Sequence, residues 1–477
     1  MRKFPENFVF GAATAAFQAE GATKEGGRGP CYWDEYLSRP ESTFTGDRAS
    51  AFYHKYKEDL ALCNKFNING IRISIAWSRV FPNGAGEVNE EGLNFYSNLI
   101  DECIAKGAEP YVTLHHFDTP LPLYKNGDWL DRSNIDHFVQ FAQVCFERFG
   151  DRVKKWVTIN EPYSVVAGQY IIGHFPPNIS YDVPKAIQAM HNMMVAHSRV
   201  VELYKEMNLP GEIGVIHILE SKYGITDKEE DQRAAYVEDT LNNTFMLDAC
   251  LSGGYKKETM EVINELLEIY NGSLEIAEGD MELIQSASQK IDFLGINYYA
   301  SHFLAHHDGE CGIHHNGTGE KGTSVFCLKG IGKRVSNPNV PTTDWDWPIY
   351  PEGLKDMLVR IKNDYPNYKK IYVTENGMGY KDDFENGSID DLPRIDYIHQ
   401  HMAAILDAIE EGVNVQGYFL WSLMDVLSWT NGYNKRYGLF YVDFETQERY
   451  PKRSAYWFKE MAKSGALLDP ASVEVKA

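Results

Sequence analysis

Eight short runs rich in β-branched and aromatic residues recur along the chain, and longer segments of helical periodicity separate them. This alternation limits the fold more than any other feature of the sequence. The runs are FVFGAATAAF (8–17), IRISIAW (71–77), PYVTLHH (110–116), WVTINE (156–161), EIGVIH (212–217), IDFLGINYY (291–299), KIYVTENG (370–377) and VQGYFLWSLMD (415–425). Between them lie helical segments such as AFYHKYKEDLALCNKF, GLNFYSNLIDECIAKG and NIDHFVQFAQVCFERFG, the last two closing on glycine as helix C-termini often do. Eight strand–helix units predict closure into one (β/α)8 TIM barrel, an α/β fold. An open doubly wound sheet is the alternative, but no GxGxxG follows any strand and no Walker motif occurs. A length of 477 residues suits one barrel with insertions, and no Pro/Ser/Gly linker divides it, so residues 1–477 are read as a single catalytic domain. The stretch from about 302 to 345 mixes Gly, His, Asn, Thr and Pro without clear periodicity and is expected to be a long loop over the barrel mouth.

Charge narrows the partners. A formal net charge of −22 argues against nucleic acid or an anionic membrane surface, since like charges repel at long range. The start, MRKFPENFVFGAATAAF, lacks a secretory hydrophobic segment and no apolar run would span a bilayer, so a cytoplasmic location is expected. The seven cysteines (Cys31, Cys63, Cys103, Cys145, Cys250, Cys311 and Cys327) are scattered, odd in number and without CxxC spacing. They are read as reduced and mostly buried, not as a disulfide framework or zinc knuckle. His302, His306, His307, His314 and His315 lack HExxH or carboxylate-clustered spacing, so neither metal nor cofactor is expected. Nothing in the sequence sets an oligomeric state.

In a parallel barrel the strand C-termini open on one face, so polar residues ending different strands converge there. Strand three ends in His115-His116, strand four in Asn160-Glu161, strand six in Asn297-Tyr298-Tyr299 and strand seven in Glu375-Asn376, while strand eight carries Trp421 and Asp425. Two glutamates across a sugar site divide the labour, one protonating the departing oxygen and the other attacking the anomeric carbon. Either glutamate alone would equally suit a helix cap or a surface ion pair. Both together, each beside an asparagine and near aromatic residues, favour a glycosidase.

FGAATAAFQAEG, GIRISIAWSRVFP, TLHHFDTP, TINEP, FLGINYY, IYPEGL, YVTENG and YFLWSLMDV occur in one order across nearly the full chain. This ordered set resembles the retaining β-glycosidases of glycoside hydrolase family one. The resemblance implies that Glu161 is the acid/base and Glu375 the nucleophile, with carboxyl groups about 5–5.5 Å apart. It implies further that Asn160 holds the 2-hydroxyl, that Arg72 and Tyr299 steady the nucleophile, and that Gln18 and His116 bind hydroxyls on the non-reducing side. Trp421 would lie beneath the ring, Trp347 would carry the leaving group, and Asn297 joins the expected substrate contacts. Phe117 departs from the family, which usually has tryptophan there.

The eighth-strand loop reads SLMDVLSWTNGYNKRYGLFYVDF. Members acting on plain sugars usually have glutamate at position 428 and phenylalanine at 437, where this chain has Ser428 and Tyr437. Losing an anion removes repulsion, and two hydroxyls with Lys435 form donors suited to a phosphate. The same set resembles the family's phospho-glycosidases, and Trp429 resembles the members acting on 6-phospho-β-galactosides. The implied substrate is therefore a small phosphorylated glycoside such as phosphorylated lactose, cleaved with retention. A gluco-configured or dual phospho-specificity, a non-phosphorylated β-glycoside, and a catalytically silent sugar-binding barrel stand as alternatives.

Overall fold

The structure, a computed structural model, describes residues 2–385 and 387–474. Eight parallel strands close into a barrel: Val9–Ala13, Gly70–Ser74, Glu109–His115, Lys155–Asn160, Glu212–Ile218, Phe293–Asn297, Ile371–Asn376 and Val415–Trp421. Each pairs with its sequence neighbours, and the eighth returns to the first in the register Val9 to Gly417 through Ala13 to Trp421. Strands such as Gly70–Ser74 and Phe293–Asn297 are buried on both faces, as a barrel wrapped in helices requires. Inside, the rings of Tyr111, Phe419, Tyr372 and Phe293 meet edge to face, and a side chain at Gly11 would collide with the Phe419 ring.

Every predicted run overlaps one barrel strand, four of them missing one terminal strand residue, and all but EIGVIH overreach at the C-terminal end. Residues 16–19 form a helix after the first strand, and Ser422 leaves the eighth through a cis peptide. Loops cover these residues, so they stay apolar after the ladder has ended, and composition alone does not mark the exit. Among the described residues no helix is long and apolar enough to cross a membrane.

Two expectations are corrected. The 302–345 stretch is not a plain loop: His302–Ala305, Ile313–His314, Val325–Leu328 and Gly332–Val335 join Lys222–Gly224 in a five-stranded sheet. Its strands run two to four residues, too short to register as period-two patterns, and one partner lies far away in sequence. The reading of every cysteine as reduced also fails, because Cys311 and Cys327 are bonded to each other while the other five are free and buried. His307 approaches both sulfurs, within 4.8 Å, but sulfurs joined to each other are not a thiolate pair for a metal.

Beneath the eighth-strand loop lies a buried ion cluster. Asp425 accepts from Lys452 Nζ (2.7 Å), Arg436 Nη1 (2.7 Å) and the backbone N–H of Gly438 (2.9 Å), which ties both ends of the loop carrying Ser428 and Lys435. Lys452 also reaches Asp382 (2.6 Å), which pairs with Arg394 (2.9 Å). Burial alone would raise the Asp382 pKa, yet Arg394 and Lys452 hold it below the usual carboxylate range. A depressed folded-state pKa contributes stability that is present above about pH 4 and is lost as pH falls further. Lys452→Met leaves Asp425 with Arg436 and Asp382 with Arg394, each with one cation partner fewer, and is expected to lower unfolding free energy by about 3–5 kcal/mol, read by equilibrium denaturation. The deficit should shrink as pH is lowered from 5 toward the folded-state pKa, because protonation then removes the surplus charge.

Candidate active site

The strand C-termini open into a cavity of about 570 Å³, within the usual range for small-molecule sites. Both expected glutamates line it, and so does every other nominated residue except Arg72 and Asn297, which stand behind its wall. The five-stranded sheet supplies part of the rim through Ile313, His314 and Phe326.

Arg72 is fully buried and donates in several directions from the second strand. Nη1 meets Glu375 Oε1 at 2.5 Å and the Thr374 carbonyl at 3.2 Å; Nη2 meets Asn160 Oδ1 at 2.5 Å and His116 Nδ1 at 3.2 Å. Nε reaches Thr113 Oγ1 at 3.3 Å. The other Glu375 oxygen accepts from Tyr299 Oη at 2.6 Å. Burial, then the charge of Glu375, keeps the Tyr299 phenol protonated and therefore able to donate. A carboxyl held by a cation on one oxygen and a phenol on the other is fixed in one orientation, as a nucleophile must be.

Glu161 sits in the opposite electrostatic setting. It follows the fourth strand in the left-handed region (φ 48°), where its N–H bonds the Ile216 carbonyl at 2.8 Å. Pro162 begins the next helix, and Glu161 before it lies in a sparsely populated conformation that the surrounding barrel must hold in place. Burial first, then the neighbouring Glu375 charge, raises its pKa to about 8. A carboxyl that stays largely protonated near neutral pH is what the acid of such a pair requires.

Three polar groups face the cavity with their donor or acceptor character decided by the protein. Gln18 Nε2 donates to the Leu427 carbonyl at 2.6 Å, which leaves its Oε1 as a buried acceptor without a protein partner. Asn160 Oδ1 is taken by Arg72, leaving Nδ2 as a buried, unpartnered donor. Arg72 can only donate, so His116 Nδ1 accepts and its proton lies on Nε2; burial and the Arg72 charge keep the ring neutral. An unpaired buried donor or acceptor costs about 1–3 kcal/mol, which a matching sugar hydroxyl recovers. Trp421 stacks on His116 with centroids 6.0 Å apart. Asn297, expected among the substrate contacts, instead spends its N–H groups on Asn160 Oδ1 (3.1 Å) and Glu161 Oε1.

At the other side of the cavity Lys435 is only 3% exposed and forms no ion pair among the described residues. Its Nζ lies 3.6 Å from the ring centre of Trp347, 4.9 Å from Trp345 and 5.5 Å from Tyr437. Burial pushes the ammonium pKa well below the usual lysine value. Ser428 donates to Asn431 Oδ1 at 3.2 Å, while the Asn431 amide holds the Gly317 carbonyl at 2.7 Å. Trp429 packs into an aromatic wall of Phe17 (5.6 Å), Trp33 (4.8 Å) and Phe117 (5.4 Å), so Phe117 takes up the packing beside His116.

Sequence reasoning missed Trp345, Asn431 and Gly379. DWDWP held a signal for Trp345; Gly379 held none, and it matters because a side chain there would overlap the Lys435 chain that lies across it. Arg72→Met would leave Glu375 and Asn160 without their shared donor. It is expected to cost about 3–5 kcal/mol in denaturant unfolding and to abolish turnover, with Arg72→Lys recovering part of the stability.

The family model for glycosyl hydrolase family 1 matches residues 1–466. The chain is 68% identical over 474 residues to a 6-phospho-β-galactosidase of Clostridium acetobutylicum, covering 99% of this chain and all of that one. It is 55% identical to a 6-phospho-β-galactosidase of Leptotrichia buccalis, covering 97% and 99% of the two chains. Among solved structures, a family 1 β-glucosidase from Thermotoga maritima superposes with a TM-score of 0.88 at 36% identity, covering 98% of this chain and all of that one. With a full-length family match, high identity to curated relatives and the same barrel, this chain belongs to glycosyl hydrolase family 1.

Proposed function

We propose that the chain is a 6-phospho-β-galactosidase, hydrolysing 6-phospho-β-D-galactosides such as phosphorylated lactose with retention of anomeric configuration. The observation that carries the phosphate is Lys435, a buried amine facing the cavity with no carboxylate paired to it among the described residues. Taking a lone ammonium out of water is unfavourable, and a phosphate dianion repays that cost while restoring the amine's charge. Ser428 and Tyr437 flank it with hydroxyls, and the names of the curated relatives point the same way. Trp429 is read as the contact to an axial O4, and Trp347 as the platform for the leaving group.

In this reading the Glu375 carboxylate attacks the anomeric carbon as the bond to the departing oxygen breaks, and Glu161 gives that oxygen its proton. A water, deprotonated by Glu161, then cleaves the glycosyl ester and returns both groups to their starting states. Asn160 Nδ2 donates to the 2-hydroxyl, a contact that strengthens as oxocarbenium character develops. The whole chain acts as one catalytic domain, requiring no cofactor. A charged sugar phosphate does not cross a bilayer unaided, which suits a cytoplasmic enzyme.

The test is a panel of galacto- and gluco-configured nitrophenyl glycosides, each with and without the 6-phosphate. The phosphorylated galactoside is expected to dominate; equal turnover of phosphorylated and plain forms would remove the phosphate claim, and equal turnover of both phosphorylated epimers would make the enzyme dual. Lys435→Met should lower kcat/KM on the phosphorylated substrate by roughly 10- to 150-fold, the worth of about 1.5–3 kcal/mol from charged hydrogen bonds. Glu161 must be protonated to act, so kcat/KM should fall as pH rises through about 8. Early NMR spectra should show the retained anomer, and Glu375→Gln should be inactive.

A further inference from the structure

A path of hydrogen bonds through Arg72, Asn160 and Asn297 joins the two carboxyl groups, and the direction of each link can be deduced. Arg72 cannot accept. The Asn160 atom 2.5 Å from its Nη2 is therefore the carbonyl oxygen. The Asn297 group 3.1 Å from that same oxygen must then be the amide NH2, because two carbonyl oxygens would repel there. That leaves Asn297 Oδ1 toward Thr374 Oγ1 at 2.7 Å, where the hydroxyl donates. The remaining Asn297 N–H points at Glu161 Oε1. Asn160, Asn297 and Thr374 are fully buried, so solvent offers no substitute for any link.

We propose that Asn297 and Thr374 are positioning residues for proton delivery: they commit Glu161 Oε1 to accepting a hydrogen bond, so the acidic proton resides on Oε2 and is delivered from there. A protonated Oε1 would aim its own hydrogen at an N–H, and turning the Asn297 amide around would set its oxygen against Asn160 Oδ1. Thr374 disfavours that turn from the other side by donating to Oδ1. Ser164 also hydrogen-bonds this carboxyl, but a hydroxyl both donates and accepts and selects neither oxygen. In the first step the proton passes from Oε2 to the departing oxygen, the C1–O bond electrons go to that oxygen, and Glu375 forms the new bond to C1. In the second step the attacking water's proton returns to Oε2.

This inference rests on Glu161 being the acid, and the experiment separates the two. Wild type, Thr374→Val, Thr374→Ser, Asn297→Ala and Glu161→Gln are compared on methyl and 2,4-dinitrophenyl 6-phospho-β-D-galactosides, across pH. The methyl substrate needs the proton, whereas the dinitrophenolate leaves without it. Thr374→Val and Asn297→Ala are expected to lower kcat/KM on the methyl substrate by about tenfold or more, part of the about 10²–10⁴ that general acid catalysis supplies. On the dinitrophenyl substrate the same variants should change it by less than about threefold, since no proton transfer is lost there. An N–H donor favours the ionised carboxyl, so its loss should also move the basic limb of the profile to higher pH. Thr374→Ser, which keeps the hydroxyl, should restore both properties. Equal losses on the two substrates, or an unmoved basic limb, would overturn the positioning role. If Glu161→Gln itself lacks leaving-group dependence, the acid assignment fails first.

Discussion

The site is organised around one cation buried where no water reaches it. Arg72 leaves the second strand and bonds groups from the third, fourth and seventh strands, so its position exists only when the barrel is closed. An isolated guanidinium in such a place would be strongly unfavourable; with its N–H groups bonded to oxygen and nitrogen acceptors, it becomes a fixed point. Because arginine only donates, it also dictates which face of Asn160 and which tautomer of His116 is turned to the cavity. Substrate polarity is thus set one layer behind the residues that meet the substrate.

Position relative to that cation distinguishes the glutamates. Glu375 touches it directly and shares its second oxygen with Tyr299, while Glu161 lies at the end of a chain through two amides, in a buried place raised further by the Glu375 charge. The same residue type is therefore placed in two settings that suit the separate roles proposed for nucleophile and acid. Lys435 places a buried amine across the cavity, packed against aromatic faces and with no carboxylate partner among the described residues. A chain of net charge −22 repels anions at long range, but screening by salt limits that field to about 10 Å, whereas charges inside a dry pocket interact strongly. Local geometry prevails over net charge.

Much of this was legible in the order of residues. Eight apolar runs with helical spacers specified the barrel, and the strand ends specified which polar residues would meet. The five-stranded sheet was not legible, since its strands are too short for periodicity and recruit Lys222–Gly224 from another part of the chain. Nor was the bond between Cys311 and Cys327, which lie sixteen residues apart and come together through the strands that flank them. Asn297 was recognised as a site residue, but its bonds to Asn160 and Glu161 were not legible, because a strand's end shows that a side chain reaches the mouth and not which groups it meets there.

Sequence alone determined the fold class, the two carboxyl groups and the exchange of an anion for hydroxyls at Ser428 and Tyr437, because periodicity and residue chemistry are local properties of a chain. Only the tertiary structure decided which glutamate is shielded and which is paired, that Lys435 is buried without a counter-charge, and how each amide is turned. Those properties depend on distances between residues hundreds of positions apart, and such distances come into being only when the barrel closes around Arg72.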